Sequence, residues 1–510
     1  MIEVEVHQQL RAFLREQGEP YWPHHLTMAR LVARALRLGR SALIQAGAPS
    51  GYHGRYRLSY LMPLLLWQDS AILVAPEAVL QRLLMVEVPR LRQWISTDKP
   101  IQTGDCWPSP EFRGLLLTTP QVWLTDRLHQ QGRFPAKVLT VIDGVDDLED
   151  WTRDLLTLSL RSPDWDQLLQ NQPEQADLIR DTRVQLTRSV FQHPVNPYDR
   201  YLLELPEQAA LEQLYASLPQ ELTLPAWQQF REQLLRPDQI LWAEVVRQQG
   251  QVSLHCAPAE VTASLRQVWQ QQPVVLIGGA LDLEADATVF RQRLGLEDLT
   301  CVKFSPDRQH ELIQLYLPDG LPMPNTPQFQ PVLIQEIRAL LMATNTAQQG
   351  LTVLLIGDVP LKAQIGSMLA GELGSRVQVE KTCLDENGIL VTGWKFWRHH
   401  QAVLPAPQLL VIATLPLPSL EDPLVAGRVA VYKRWRQDWF RLYLLPTALS
   451  ELQRAIAPVR ESQGVVALLD NRVNHRTYGQ QALAAMSPLA RINYVDESLF
   501  RQFEGLGLPD

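Results

Sequence analysis

The chain has 510 residues, too many for one compact core, so about three units of roughly 100–200 residues are expected. Apolar residues make up 46% and charged residues 20%, a globular balance with apolar material for several cores. The net charge of -8 excludes an overall basic coat for nucleic acid, so any phosphate contact must come from a local patch.

The N-terminal MIEVEVHQQLRAFLREQ is charged and amphipathic and lacks the apolar core of a signal peptide. Residues 1–40 read as helices, with Met28, Leu31, Val32, Ala35 and Leu36 at helical spacing. A strand-like run at 42–44 leads into the glycine-rich 47–56 and then an apolar, helix-like segment. Further buried-strand candidates lie at 71–75, 114–118 and 138–142, the last closed by Asp143. Strands alternating with helices predict a parallel α/β sheet covered on both faces. From 151 to 245 Gln, Leu, Glu and Arg dominate, and this stretch reads as a helical insertion. Strand signals return at 274–277, and the proline-rich 318–328 reads as an extended linker. A second α/β series runs through 351–356, 389–392, 409–413 and 465–469. The expected division is 1–150 and 246–300 as one discontinuous α/β domain, 151–245 as its insertion, and 301–510 as a second domain. Apolar runs such as 61–67 fall far short of the roughly 20 residues that span a bilayer, so no membrane association is expected. Cys106, Cys256, Cys301 and Cys383 are scattered and form no CxxC pair. Neither a zinc site nor a secreted disulfide scaffold is expected, and a reducing cytoplasm fits.

Three segments carry candidate chemistry. In GAPSGYHGRY (47–56), a glycine-rich turn between strand and helix suits phosphate, because backbone N–H groups and a helix N-terminus face the anion. A phosphate loop of the Walker type ends Gly-Lys-Ser/Thr, where this chain has Gly54, Arg55 and Tyr56; a purely structural turn is the other reading. Asp143 ends a strand, a magnesium position in P-loop enzymes and also an ordinary turn residue. RVAVYKRWRQDWFR (428–441) interleaves Arg434 and Arg436 with aromatic rings, a mixture that grips phosphates and stacks on bases. An amphipathic helix with a solvated basic face reads equally from the same residues. His399 and His400 lack a third ligand at metal-binding spacing.

LPLPSLEDPL (415–424), Gln453, Arg460 and GVVALLDNRV (464–473) stand in the order of the second motor domain of DinG/XPD helicases, which this chain resembles. VTGWKFWRHH (391–400) is similar to that family's Gly-Thr-x-x-Phe-Trp-Glu-Gly segment, with Phe396 and Trp397 matching. The segment 274–296 resembles its Thr-Ser-Ala-Thr-Leu segment, 143–146 sits at its DEAH box, and 21–36 resembles the helix before the P-loop. The resemblance covers nearly the whole chain and implies two RecA-like α/β domains, the first with an insertion at the arch position. It also implies an ATP-dependent DNA helicase acting on single-stranded or forked DNA, with protein partners open. Gly51, Gly54, Arg55 and Tyr56 would face nucleotide, His25 would stand at the adenine-reading glutamine, and Asp143 would hold magnesium. Gln453 and Arg460 would serve catalysis from the second domain, and Trp394, Phe396 and Trp397 would face DNA with Arg434 and Arg436. The chain departs from the pattern at Arg55 for Lys, Tyr56 for Ser/Thr and Gly144 for the DEAH glutamate. It departs again at Ile456 and Ala457, where the family's Gln-x-x-Gly-Arg-x-x-Arg motif has Gly and its first Arg. A pseudo-enzyme with weak or lost hydrolysis, or a non-catalytic protein scaffold, follows as the expectation. The family's iron–sulfur cluster needs four cysteines between P-loop and DEAH box; only Cys106 lies there, so no cluster is expected.

Overall fold

The computed structural model describes residues 1–18, 20–47, 53–297, 299–308, 310–347, 350–385 and 387–495. Two helices open the chain, α1 (Ile2–Gln17) and α2 (His25–Leu38), and α2 buries Met28, Val32 and Leu36 on one face. They lead to β1 (Ala42–Gln45), then α3 (Arg57–Leu66), β2 (Ala71–Val74), β3 (Ile101–Thr103), β4 (Leu115–Thr118) and β5 (Thr140–Asp143). Each of β1, β2, β4 and β5 is buried at every position, as a parallel sheet with helices on both faces requires.

After β5 and α4 (Leu148–Leu156) comes the insertion. It holds β6 (Leu158–Leu160), α5 (Ser162–Asn171), α6 (Ala176–Gln192), β7 (Arg200–Leu202), β8 (Gln239–Val246) and β9 (Gln251–Pro258). The insertion is therefore not purely helical, as the composition suggested: its helices pack on a four-stranded antiparallel sheet in the order β6-β9-β8-β7. The first domain resumes with β10 (Val274–Gly278) and β11 (Thr300–Lys303), giving a seven-stranded parallel sheet ordered β11-β1-β10-β5-β2-β4-β3. Because β11 pairs with β1, the expected boundary at 300/301 cuts a strand of the first domain.

The second domain is a seven-stranded parallel sheet ordered β14-β15-β13-β16-β17-β12-β18. Its strands are β12 (Ile313–Tyr316), β13 (Thr352–Leu355), β14 (Val377–Val379), β15 (Ile389–Thr392), β16 (Leu409–Ile412), β17 (Val465–Leu468) and β18 (Leu489–Ile492). The helices that bear on the site are α7 (Trp394–His400), α8 (Pro423–Arg434) and α9 (Leu445–Glu461). The proline-rich 318–328 joins β12 to the next helix inside this domain, and Asn471 fixes it by donating to the Leu321 carbonyl at 2.7 Å.

The insertion touches both domains. Ile240 and Trp242 of β8 form a small apolar cluster with Val431 of α8. Beside it Arg428 of α8 is buried, pairing with Glu149 of α4 at 2.5 Å and Glu260 at 3.0 Å, with its guanidinium 4.0 Å from the Tyr443 ring centre. Arg293 and Arg153 also bind Glu149. Burial works against the Glu149 charge, but these three arginines outweigh it and hold the carboxyl well below the usual range. No helix among the described residues is long and apolar enough to cross a membrane.

Candidate functional site

β1 and β5 both end at the cleft between the two domains, where open parallel sheets place their sites. Asp143, the last residue of β5, is 2% exposed. The Tyr56 hydroxyl donates to its Oδ1, and its Oδ2 accepts from the Tyr60 hydroxyl at 2.9 Å and from Arg57 Nε at 3.3 Å. Arg57 is the first residue of α3 and Tyr60 stands one turn later, so both project from one helix face toward β5. Gly54 has φ +62°, and a Cβ there would collide with the Arg57 guanidinium. The glycine thus makes room for an arginine side chain as well as for a left-handed turn.

Burial opposes the Arg57 charge, but Asp143 and the two tyrosine oxygens outweigh it and raise its pKa above the usual value. Burial first, then Asp143, pushes the Tyr56 and Tyr60 phenols well above theirs, so both stay neutral donors. Both oxygens of the candidate magnesium ligand are engaged by protein donors, and a guanidinium already supplies the cation. The arrangement does not fit a magnesium–nucleotide complex held at Asp143.

The DEAH-like turn is bound from within. Gly144 has φ +83°, so the residue at the glutamate position sits in a left-handed conformation that side chains rarely adopt. Asp146 accepts from the backbone N–H groups of Gly279 at 2.8 Å and Ala280 at 2.6 Å, linking the turn to the end of β10. Burial raises its pKa, with Arg454 and the two N–H groups opposing.

From the second domain, α9 closes the cleft. Arg454 makes a two-pronged pair with Asp147 at 2.7 and 3.2 Å. Ser450 donates to the Ala280 carbonyl at 2.7 Å. Ala457, where the resemblance puts the first arginine, packs on Ala280. Arg55 pairs with Glu461 of α9. Cavities of about 180 and 240 Å³ remain, the first beside Arg57, Asp147 and Arg398, the second beside Lys303, Gln453 and Arg460.

The other expected residues divide. Gly51 lies outside the described residues. Gln453 lines the second cavity and, among the described residues, its side chain makes only a long contact, to the carbonyl of Leu449 in its own helix. Arg460 is 3% exposed and its guanidinium binds the carbonyls of Glu311, Met486, Ser487 and Pro488. It ties α9 to the segments flanking β12 and β18, rather than standing free for a phosphate. Burial draws its pKa down to about 10. Trp397, expected on a DNA face, is 1% exposed and donates its indole N–H to Ala455 at 3.0 Å, so its ring is a core element. Trp394 and Phe396 are half-buried, with Phe396 stacked on His400 at 4.1 Å. Arg434 and Arg436 are exposed at and just beyond the end of α8, next to Trp435. On the same segment Tyr432 and Arg428 face inward, so part of the aromatic–basic run is core. Sequence reading missed Arg57, Tyr60 and Arg454. For Arg57 a signal existed: a cation in the first turn of a helix opposes the macrodipole, and none of that turn's residues is acidic.

His25 is 2% exposed; its Nε2–H donates to the Pro20 carbonyl at 3.0 Å, which leaves Nδ1 to accept from the Ser59 hydroxyl at 2.8 Å. Burial lowers its pKa to about 4. The unfolded chain therefore takes up a proton below about pH 6.5 that the folded chain refuses until about pH 4. Stability is lost as pH falls through that window, by about 2 kcal/mol between pH 7 and 5. Urea midpoints at the two pH values should show this, and His25→Asn should flatten the difference; an unchanged slope would reject it.

No protein-family model matches the chain. It is similar to two proteins named ATP-dependent DNA helicase YoaA. The Haemophilus influenzae protein is 25% identical over 257 residues, 47% of this chain and 40% of its own length. The Escherichia coli K12 protein is 23% identical over 276 residues, 51% of this chain and 42% of its own. The chain thus spans about two fifths of the length of the curated relatives it matches. A solved structure titled XPD_Helicase superposes with a TM-score of 0.60 at 12% identity, covering 93% of this chain and 100% of its own. That of Xpd4 from S. tokodaii gives 0.58 at 12%, covering 92% and 100%. The two-domain α/β fold expected from the motifs is thereby shared with XPD helicases. In motif order the chain resembles DinG/XPD helicases, and its fold is similar to that of XPD structures.

Proposed function

We propose that the chain is a nucleic-acid-binding protein of the DinG/XPD helicase type whose ATP hydrolysis is weak or lost. The relatives' names carry ATP as cofactor and DNA as partner over to this reading, without magnesium at Asp143, whose oxygens are taken by Tyr56, Tyr60 and Arg57. The observation that supports reduced turnover is Arg57 on Asp143, a side-chain cation in the position magnesium would take. Gly144 in place of a glutamate and Ala457 in place of an arginine act in the same direction, since an arginine finger alone is worth about 10³–10⁵ in rate. Exposed Arg434 and Arg436 beside Trp435 offer cations and a stacking ring for single-stranded or forked DNA.

The engaged Asp143 carboxylate and the net charge of -8 also favour a second reading, a non-catalytic protein-interaction scaffold. Salt separates the two, because DNA affinity that falls steeply with ionic strength reports phosphate contacts. The deciding experiment is ATP turnover with magnesium, with and without single-stranded DNA, beside Asp143→Ala and Arg460→Ala. We expect no turnover above the Asp143→Ala control. DNA-stimulated turnover that both substitutions abolish would overturn the proposal.

A further inference from the structure

The insertion carries a groove of about 380 Å³ between β9 and α6, which shares no lining residue with the two interdomain cavities. Its floor is apolar, with Trp165, Leu186 and Leu254 buried and Val184 54% exposed above them. Its rim is cationic, with Arg188 exposed and Arg183 paired to Asp166 at 2.8 Å. That pair is solvent-exposed and of little net worth, so an incoming carboxylate can exchange with Asp166.

The wall of the groove is an open strand edge. In an antiparallel ladder the N–H and C=O of one residue point to the same neighbouring strand, and the direction alternates along the chain. Leu203 donates to Leu241 and Val245 donates to Asp199, so the odd residues of β8 bond toward β7. Its even residues therefore bond β9, through partners Ala257, His255, Ser253 and Gln251. That leaves the even residues of β9 facing β6. Leu254 and Cys256 meet Leu160 and Leu158 there. Val252 comes next in register, but the chain has already turned into α5 at Ser162. Among the described residues no backbone group accepts from or donates to the outward pair of Val252.

We infer that this groove docks an extended, acidic peptide of a partner protein, which continues the sheet at Val252. A bound strand pairs with Val252, lays alternate apolar side chains on Trp165 and Leu254, and brings carboxylates to Arg183 and Arg188. A nucleic-acid strand would meet cations here but brings no peptide backbone to continue the sheet at Val252. The inference does not depend on whether the cleft turns over ATP.

The probe is a fluorescein-labelled heptapeptide alternating Glu or Asp with Val or Leu, titrated by anisotropy against the full chain. Its counterpart has Lys at the acidic positions. We expect binding of the acidic peptide only, with slower hydrogen exchange at 251–253 in its presence. Val252→Pro removes the outward N–H without touching a ladder bond, the place an edge strand tolerates proline. It should weaken binding about tenfold, the value of one backbone hydrogen bond. Arg188→Glu should weaken it at least as much. Equal binding of both peptides, or wild-type affinity in Arg188→Glu, overturns the inference. So does displacement of the peptide by short oligothymidylate, which would make the groove a phosphate site. If Val252→Pro lowers the unfolding midpoint, Arg188→Glu and the exchange data decide alone.

Discussion

Replacing Arg57 by methionine should destabilise the first domain by about 3–5 kcal/mol, the cost of leaving one member of a buried ion pair alone. Asp143 is 2% exposed, and after the substitution only two neutral tyrosines would face its charge. Removing the charge as well, in Arg57→Met with Asp143→Asn, should recover much of the loss, because the double variant buries no uncompensated ion. Urea midpoints of the two single variants and the double variant give the coupling. If the losses simply add, Arg57 and Asp143 act independently and the cleft is not held by their pairing. A second readout follows from the same geometry: magnesium should raise the midpoint of Arg57→Met, whose carboxylate is released, and leave the wild type unmoved.

Arg428→Ala should cost a similar amount, about 3–5 kcal/mol, through a different consequence. Arg428 holds Glu149 of the first domain and Glu260 at the insertion's end from a helix of the second domain. Without it Glu149 keeps Arg293 and Arg153, while Glu260 loses its buried partner. The expected result is separation of the second domain's unfolding transition from that of the first domain and insertion, seen as two steps in a urea titration or new protease cuts near α8. One unchanged cooperative step would show that the remaining contacts, among them Ile240 on Val431 and Arg454 on Asp147, suffice to join the domains. The Glu149 carboxyl is held well below its usual range, so this contribution is present above about pH 4.5. It is lost only as pH falls through the lowered folded value.

The second domain was the most legible part of the sequence because its signatures are residues that shape backbone. Asp422 caps α8 by accepting from Leu424 N–H at 2.9 Å, with Pro423 at the first helical position. Asp470 accepts from Leu415 N–H at 2.7 Å and binds Arg472, so the two matched segments hold each other. Such local rules can be read without knowing the fold. The insertion's sheet was also within reach and was missed: QILWAEVV and QVSLHCAP are strand-like runs separated by a turn ending in Gly250 at φ +62°. Glutamine-rich flanks masked that alternation. The cleft was the least legible. Arg57 meets Asp143 and Arg454 meets Asp147 across long stretches of sequence, and spacing carries no record of such pairs. The same motif positions are compatible with a phosphate loop or with an arginine folded over Gly54, and only packing distinguishes them.

The order of strands in the first sheet sets how the chain must assemble as it is made. β1 lies between β10 and β11, both of which follow the insertion. At roughly 5–20 residues per second, β1 leaves the ribosome tens of seconds before either neighbour exists. During that interval its apolar Ala42, Leu43 and Ile44 have no sheet partner from this chain. An insertion that folds early as its own unit shortens the loop that must close to bring β10 home, and so lowers the entropy of completing the sheet. Slowing or unfolding the insertion should then expose β1 to the wrong partners, and aggregation of newly made chains would be traced to residues far from the insertion itself.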